Sequence, residues 1–195
     1  MDIMNILLVG VGGQGVILAS EIMCTAAHHA GLDTKKSEVH GMSQRGGVVT
    51  SHIRYGEKVY SPLIENGQAD IILAFEAAEA LRFCHELKPD GILFAIPYSL
   101  VPPIAGKKLR YPDKPLEQVE AKVKNTIIID ATEIAASLGN IRLANSVVLG
   151  AMAPYSGIDD EHWEYAITKL APKKTGPANL QAFKRGKEIV KDAVI

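Results

Sequence analysis

Gly10, Gly12 and Gly15 form G-x-G-x-x-G directly after the apolar run Ile6–Val9 and directly before a helical stretch. Strand, glycine turn and helix in that order make a cradle for a negatively charged group. The glycines let the backbone turn tightly and approach a ligand, and the first free N–H groups of the helix point into the gap. A second stretch, from Gly41 to Gly47, holds three glycines with Ser43, Gln44 and Arg45 between them. That much glycine carries a considerable ordering cost. A plain connection has little use for it, whereas a surface meeting a ligand or a partner backbone does. The planar fork of Arg45 suits a phosphate or a carboxylate, to which it can make two parallel hydrogen bonds.

Two readings of these stretches stand side by side. A dinucleotide site needs an acidic residue at the end of the second strand, roughly 20 residues on, to hold a ribose hydroxyl. Asp33 precedes the second strand, while Glu38 lies near the required place. The chain then runs at once into His40-Gly41-Met42-Ser43-Gln44-Arg45-Gly46-Gly47, which is not how a dinucleotide unit normally continues. The other reading is a ligand- or partner-facing rim without chemistry of its own. No G-x-x-x-x-G-K-[ST], G-x-S-x-G or H-E-x-x-H is present, and no Ser or Cys has a base at recognisable spacing. His40 and His52 flank the second loop without a metal partner at suitable spacing. Cys24 and Cys84 lie far apart, which excludes a disulfide framework and any zinc or iron–sulfur site supplied by this chain alone. Both are expected as buried free thiols.

The elements that must position these residues alternate between strand and helix. A helix is predicted from about Gln14 to His29, closed by Gly31, with His28 and His29 as helix-end residues. Thr34–Val39 reads as a second strand and Val48–Tyr55 as another, with Gly56-Glu57 turning into Lys58–Ser61 as a short hairpin partner. Ala69–Phe75, Gly91–Ile96 and Thr126–Asp130 read as buried strands. Helices are predicted at Glu76–Glu86 and Lys114–Val123, and Lys88-Pro89-Asp90-Gly91 as a stop and turn. Further helices follow at Ala131–Leu138, Ala144–Ala153, Asp159–Leu170 with Asp159 as N-cap, and from Pro177 onward, with Leu180, Phe183, Val190 and Val194 near one face. Apolar strands alternating with helices specify an α/β fold with three layers, α/β/α, around a largely parallel but mixed sheet with a Rossmann-like start. Ligands of such sheets bind outside the carboxyl ends of the strands. The glycine turn, the residues after Phe75, the Pro97–Pro103 segment and the residues after Asp130 therefore share one rim.

Composition sets the outer bounds. The 195 residues are 47% hydrophobic and 22% charged, values of a globular chain, and residues 1–195 read as a single domain. The net charge of −1 argues against a general nucleic-acid binder. Lys169–Ile195 carries a local excess of positive charge that suits a solvated helix face. With neither a signal peptide nor a stretch long enough to span a bilayer, the expected location is the cytoplasm.

Three stretches together give a more specific result. GVGGQGV at Gly10–Val16, SEVHGMSQRGGVV at Ser37–Val49 and NSVVLGA at Asn145–Ala151 resemble the γ-type subunit of 2-oxoacid:ferredoxin oxidoreductases, in particular the variant known as the β subunit of indolepyruvate oxidoreductase. The likeness continues into N-x-x-A-F-x-x-G at Asn179–Gly186. The resemblance implies an enzyme that oxidatively decarboxylates a 2-oxoacid, transfers the acyl group to coenzyme A and passes electrons to ferredoxin. It implies that thiamine diphosphate and the iron–sulfur clusters reside on larger partner subunits, and that this chain is a non-catalytic member of a hetero-oligomer beside them. Carried residue by residue, Gly10, Gly12, Gly13, Gln14 and Gly15 match the family's glycine turn, and Ser43, Gln44, Arg45, Gly46 and Gly47 its Gln-Arg loop. Those positions, Gly47 excepted, are the expected binding residues, with coenzyme A at the interface as the implied ligand and no catalytic or metal-binding residue on this chain.

Overall fold

The computed structural model describes residues 2–41, 47–100, 111–172 and 174–193. Six strands, β1 (Met4–Val11), β2 (Asp33–His40), β3 (Val48–Gly56), β4 (Ala69–Ala74), β5 (Leu87–Ala95) and β6 (Thr126–Ile128), form one sheet in the order β2-β3-β1-β4-β5-β6. β1, β4, β5 and β6 pair in parallel, and β3 runs antiparallel to both of its neighbours. The sheet is therefore mixed and mostly parallel, as the alternation of elements predicts.

Side chains alternate across the strands, so each face gathers its own core. Ile6, Leu8, Ile53, Tyr55, Ile71, Leu73 and Phe94 belong to one. Helices α1 (Val16–His29), α4 (Ala131–Ser137), α5 (Ala144–Met152), α6 (Asp160–Leu170) and α7 (Gly176–Ala193) supply the rest of that core. Leu7, Val9, Ile72, Ala74, Leu93 and Ala95 form the other, with α2 (Ala77–Phe83) and α3 (Pro115–Glu120). The three-layer arrangement follows: both faces of β1 and β4 are apolar, so both must be covered.

α1 ends as its sequence specifies. Gly31 adopts φ 80°, and Leu32 N donates to Ala27 O, closing the last turn with a bond that only a left-handed residue permits. α5 and α7 cross at glycine. A Cβ on Gly150 would lie 1.9 Å from the carbonyl oxygen of Phe183, and one on Gly186 would lie 1.9 Å from that of Val147. NSVVLGA and N-x-x-A-F-x-x-G are thus two halves of one backbone-to-backbone contact. Ser146 Oγ reinforces it by donating to Asn179 Oδ1 at 2.7 Å.

Several expectations need correction. Lys58–Ser61 forms no strand; the hairpin partner of β3 is β2, reached through the Gly41–Gly47 stretch. Residues 57–68 instead stay irregular and plug the second sheet face with Ile64. Arg54 holds them in place, donating from Nη1 to the carbonyls of Ser61 (2.9 Å) and Leu63 (3.2 Å). Lys88–Gly91 does not stop a helix but lies inside β5. The turn signal appears there as an irregularity, with Ala69 paired to Leu87 and Ile71 to Ile92. Asp159 occupies the N-cap position of α6, yet its side chain makes no capping bond. Val194, and the part of the Pro97–Pro103 segment beyond Leu100, lie outside the described residues.

Candidate functional site

The glycine turn leaves the carboxyl end of β1 and is held from three sides. Gln14 folds back on its own strand: its Oε1 accepts from Val11 N at 2.8 Å, and its Nε2 donates to Phe75 O at the end of β4 at 2.9 Å. One side-chain amide thus splices the turn to two neighbouring strand ends. Gly10 lies beneath it, where a Cβ would meet Val16 Cγ2 at 2.8 Å and Gln14 Oε1 at 2.9 Å. Gly13 (φ 100°) and Gly15 (φ 77°) take the left-handed conformation that the turn requires. Around Gly13 nothing lies within 4 Å of a would-be Cβ, so that backbone is open to the rim.

The third side comes from α5. Asn145 Nδ2 donates to the carbonyls of Gln14 (3.0 Å) and Gly15 (3.1 Å). A Cβ on Gly15 would lie 2.3 Å from that nitrogen. Gly15 is therefore glycine for two independent reasons, its dihedral angles and its neighbour.

The second glycine-flanked stretch emerges beside the first. β3 pairs with β1 through Gly10↔Val49 and Val11↔Val48, and Gly12 N donates to Gly47 O at 2.9 Å. Gly41 N in turn donates to Val48 O at 2.8 Å. The Gly47 end of the loop thus stands at the glycine turn, with the Gly41 end one strand farther out, beside β3; Ser43, Gln44, Arg45 and Gly46 lie outside the described residues.

Between the strand ends and the helical layer runs a groove of about 640 Å³, floored by Gly12–Gly15, Phe75 and Ile96 and walled by residues 140–145. Two of its polar groups, Asn145 and Asn179, open the NSVVLGA and N-x-x-A-F-x-x-G stretches, while Asn140, Arg142 and Thr175 carry no sequence signal of their own. Asn140 Oδ1 caps a short turn by accepting from Arg142 N at 3.0 Å. Arg142 itself makes no ion pair among the described residues, and Thr175 and Asn179 close the far wall. Asn140 and Arg142 had one available signal, their place just before the NSVVLGA run that Asn145 opens.

Glu76 fixes the remaining wall. This carboxylate is 1% exposed. It accepts from Glu79 N (2.9 Å) and Leu100 N (3.0 Å) and from the Tyr111 hydroxyl. Tyr111 Oη also accepts from Ala78 N at 3.2 Å. Burial, reinforced by the hydrogen bond to Glu76, pushes the Tyr111 phenol up to about 12, so it stays a donor. Tyr98 and Leu100, which face the groove, are thereby tied to the end of β4.

Glu38 lies elsewhere. β3 separates β2 from β1, and the Glu38 carboxylate is engaged by Lys36 Nζ (2.8 Å) and Ser20 Oγ (3.1 Å). A ribose bound at the glycine turn would not meet it. Cys84 is buried and Cys24 half-buried, both free, and burial raises the Cys24 thiol to about 12, which makes it inert. Among the described residues no three His, Cys, Asp or Glu side chains gather as a metal site, and no helix is long and apolar enough to cross a membrane.

Comparison with known proteins agrees with this geometry. Residues 5–189 match the family model described as pyruvate ferredoxin/flavodoxin oxidoreductase. The chain is 37% identical to the indolepyruvate oxidoreductase subunit IorB of Thermococcus kodakarensis, over 96% of each chain. It is 27% identical to the common γ subunit of the pyruvate/ketoisovalerate oxidoreductases of Pyrococcus abyssi, over 92% of each. Among solved structures, the γ subunit of a keto/oxoacid ferredoxin oxidoreductase from Geobacter sulfurreducens superposes with a TM-score of 0.75 at 25% identity, covering 99% of both chains. A 2-oxoglutarate:ferredoxin oxidoreductase from Magnetococcus marinus, with 2-oxoglutarate, coenzyme A and succinyl-CoA bound, gives a TM-score of 0.75 at 20% identity. That match covers 98% of this chain and 32% of the other.

Proposed function

The chain belongs to the pyruvate ferredoxin/flavodoxin oxidoreductase family as a γ-type subunit, and from that membership we propose that it serves a cytoplasmic enzyme converting indolepyruvate, or another aryl or alkyl 2-oxoacid, to its acyl-CoA. In this reading the subunit is non-catalytic. Thiamine diphosphate and the iron–sulfur clusters belong to larger partner subunits, ferredoxin accepts the electrons, and coenzyme A supplies the thiol that takes up the acyl group.

The observation that carries the reading is the rim itself. Two glycine-flanked loops meet there at their roots, through Gly12 N and Gly47 O, beside a groove whose described lining holds backbone, the amides of Gln14, Asn140, Asn145 and Asn179, hydroxyls and the Arg142 guanidinium. Such a lining can bind and orient an anion. The groove's left-handed glycine turn and Arg142 fit a phosphate of coenzyme A, with Arg45 facing the same ligand or the partner's active-site side. Exposed apolar side chains on the rim, Ile17 (43%), Val39 (56%) and Ile141 (63%), suit a polypeptide that covers it.

The subunit should copurify with a larger, brown, iron-containing partner and show no turnover alone. A panel of 2-oxoacids on the assembled enzyme identifies the substrate, with indolepyruvate preferred. Calorimetry with coenzyme A, NADH and NADPH in parallel should register coenzyme A only. Nicotinamide binding that weakens on Glu38→Gln would instead favour a self-contained dehydrogenase, which the displaced Glu38 argues against.

A further inference from the structure

We propose that Asn145 is a positioning residue for the anion-binding surface of the glycine turn, a role that rests on the coenzyme A reading above. A turn that receives a phosphate must present N–H groups and keep its carbonyl oxygens away from the ligand, because each carbonyl carries partial negative charge. Gln14 and Gly15 line the groove, and the Asn145 amide nitrogen binds both of their carbonyls at once, that of Gly15 also accepting the first helical bond of α1 from Ala19 N at 3.0 Å. Two acceptors on one side fix the orientation of that amide: only its NH₂ end can face them. The contact spans some 130 positions of sequence, so it is set by the docking of α5 against the sheet and not by local turn preference.

The arrangement is mutually dependent. Gly15 has no room for a side chain because Asn145 fills the space, and Asn145 reaches two carbonyls because Gly15 has none. Gln14 anchors the same turn from the opposite side through Val11 and Phe75. The two amides divide the work. Gln14 fastens the turn to the strand ends, and Asn145 holds the direction of its carbonyls, so that the turn keeps its N–H groups toward the groove. Aspartate at position 145 would keep the shape, lose both donors and set a carboxylate against two carbonyls beside the anion site.

The test uses the assembled enzyme and the apparent KM for coenzyme A. Asn145→Asp should raise that KM by about tenfold or more, with kcat at saturating coenzyme A reduced less than about threefold. Asn145→Ala, which removes the donor without adding charge, should give a smaller rise. If Asn145→Asp does not assemble, the ordering is read from Asn145→Ala alone against wild type. A groove control, Arg142→Ala, separates the two layers of the argument. KM raised by Arg142→Ala but unchanged by both Asn145 variants overturns the positioning role and leaves the groove assignment standing. KM unchanged by all three overturns the coenzyme A assignment itself. Loss of kcat at unchanged KM would make Asn145 merely structural.

Discussion

Gly12 and Gly47 are joined backbone to backbone at 2.9 Å, although 35 positions separate them in the sequence. The bond places the root of the Gln-Arg loop, at Gly47, against the glycine turn. It forms because β3 inserts antiparallel beside β1 with Val11 opposite Val48, which returns the hairpin to the carboxyl rim.

Arg45→Ala is expected to lower activity of the assembled enzyme while the melting temperature of the separate subunit stays within about 1–2 °C of wild type, since a loop side chain of this kind carries little folding energy. Steady-state assays and thermal melts on the same preparations check it. A large drop in melting temperature would make Arg45 structural instead.

Gln14 behaves in the opposite way. Its amide satisfies Val11 N and Phe75 O together, so Gln14→Ala leaves a strand-end donor and acceptor without partners, at a cost of about 1–3 kcal/mol. Gln14→Glu keeps an acceptor for Val11 N but sets a carboxylate oxygen against the Phe75 carbonyl, and should be no more stable than Gln14→Ala. Urea unfolding of the three proteins gives the order directly. Equal stability of all three would show that the turn holds without its splice.

How much of this was legible in the sequence depended on how local each cause is. Ile6–Val9, the glycine turn and α1 were readable because a buried run, a glycine spacing and a helical period follow one another. The mixed sheet was readable from Val48–Tyr55. Its pairing was not, because β2 carries Lys35, Lys36 and Glu38 and its register is decided by β3 and by contacts to α1 such as Ser20–Glu38. That NSVVLGA and N-x-x-A-F-x-x-G supply a polar wall of the groove could not be read for a related reason. Asn145, Thr175 and Asn179 sit far from the glycine turn in sequence and meet it only after α5 and α7 have crossed.

That crossing leads to a stability prediction. Gly150→Ala sets a methyl against the Phe183 carbonyl, and because backbone faces backbone no side-chain rotation can relieve it. The cost should reach about 3 kcal/mol, a fall in melting temperature of roughly 6–12 °C for a chain of this length. Gly186→Ala, which meets the Val147 carbonyl, should fall equally, and the double variant should lose less than the sum, since one shift of α7 relieves both clashes. Gly139→Ala is a useful contrast: its Cβ would meet nothing within 4 Å, leaving only the strain of a left-handed alanine.

His52 supplies the pH dependence. It faces the irregular 57–68 segment, where its Nδ1 accepts from Ile64 N at 3.3 Å. That acceptance requires a neutral ring. Burial lowers its pKa below 6.5, and the charge of Glu86 offsets only part of the effect. With the folded value below the unfolded one, protons bind the unfolded chain more readily in the interval between them. The stabilisation is therefore whole above about pH 6.5 and is lost as pH falls through the depressed folded value. At the same time the Ile64 N–H loses its acceptor, so the plug over Leu7, Val9 and Ile72 loosens. Melting temperatures between about pH 7.5 and pH 5 should decline less steeply for His52→Leu than for wild type, the difference closing as the ring becomes charged. Parallel curves for the two proteins would place the acid sensitivity of the fold elsewhere than at His52.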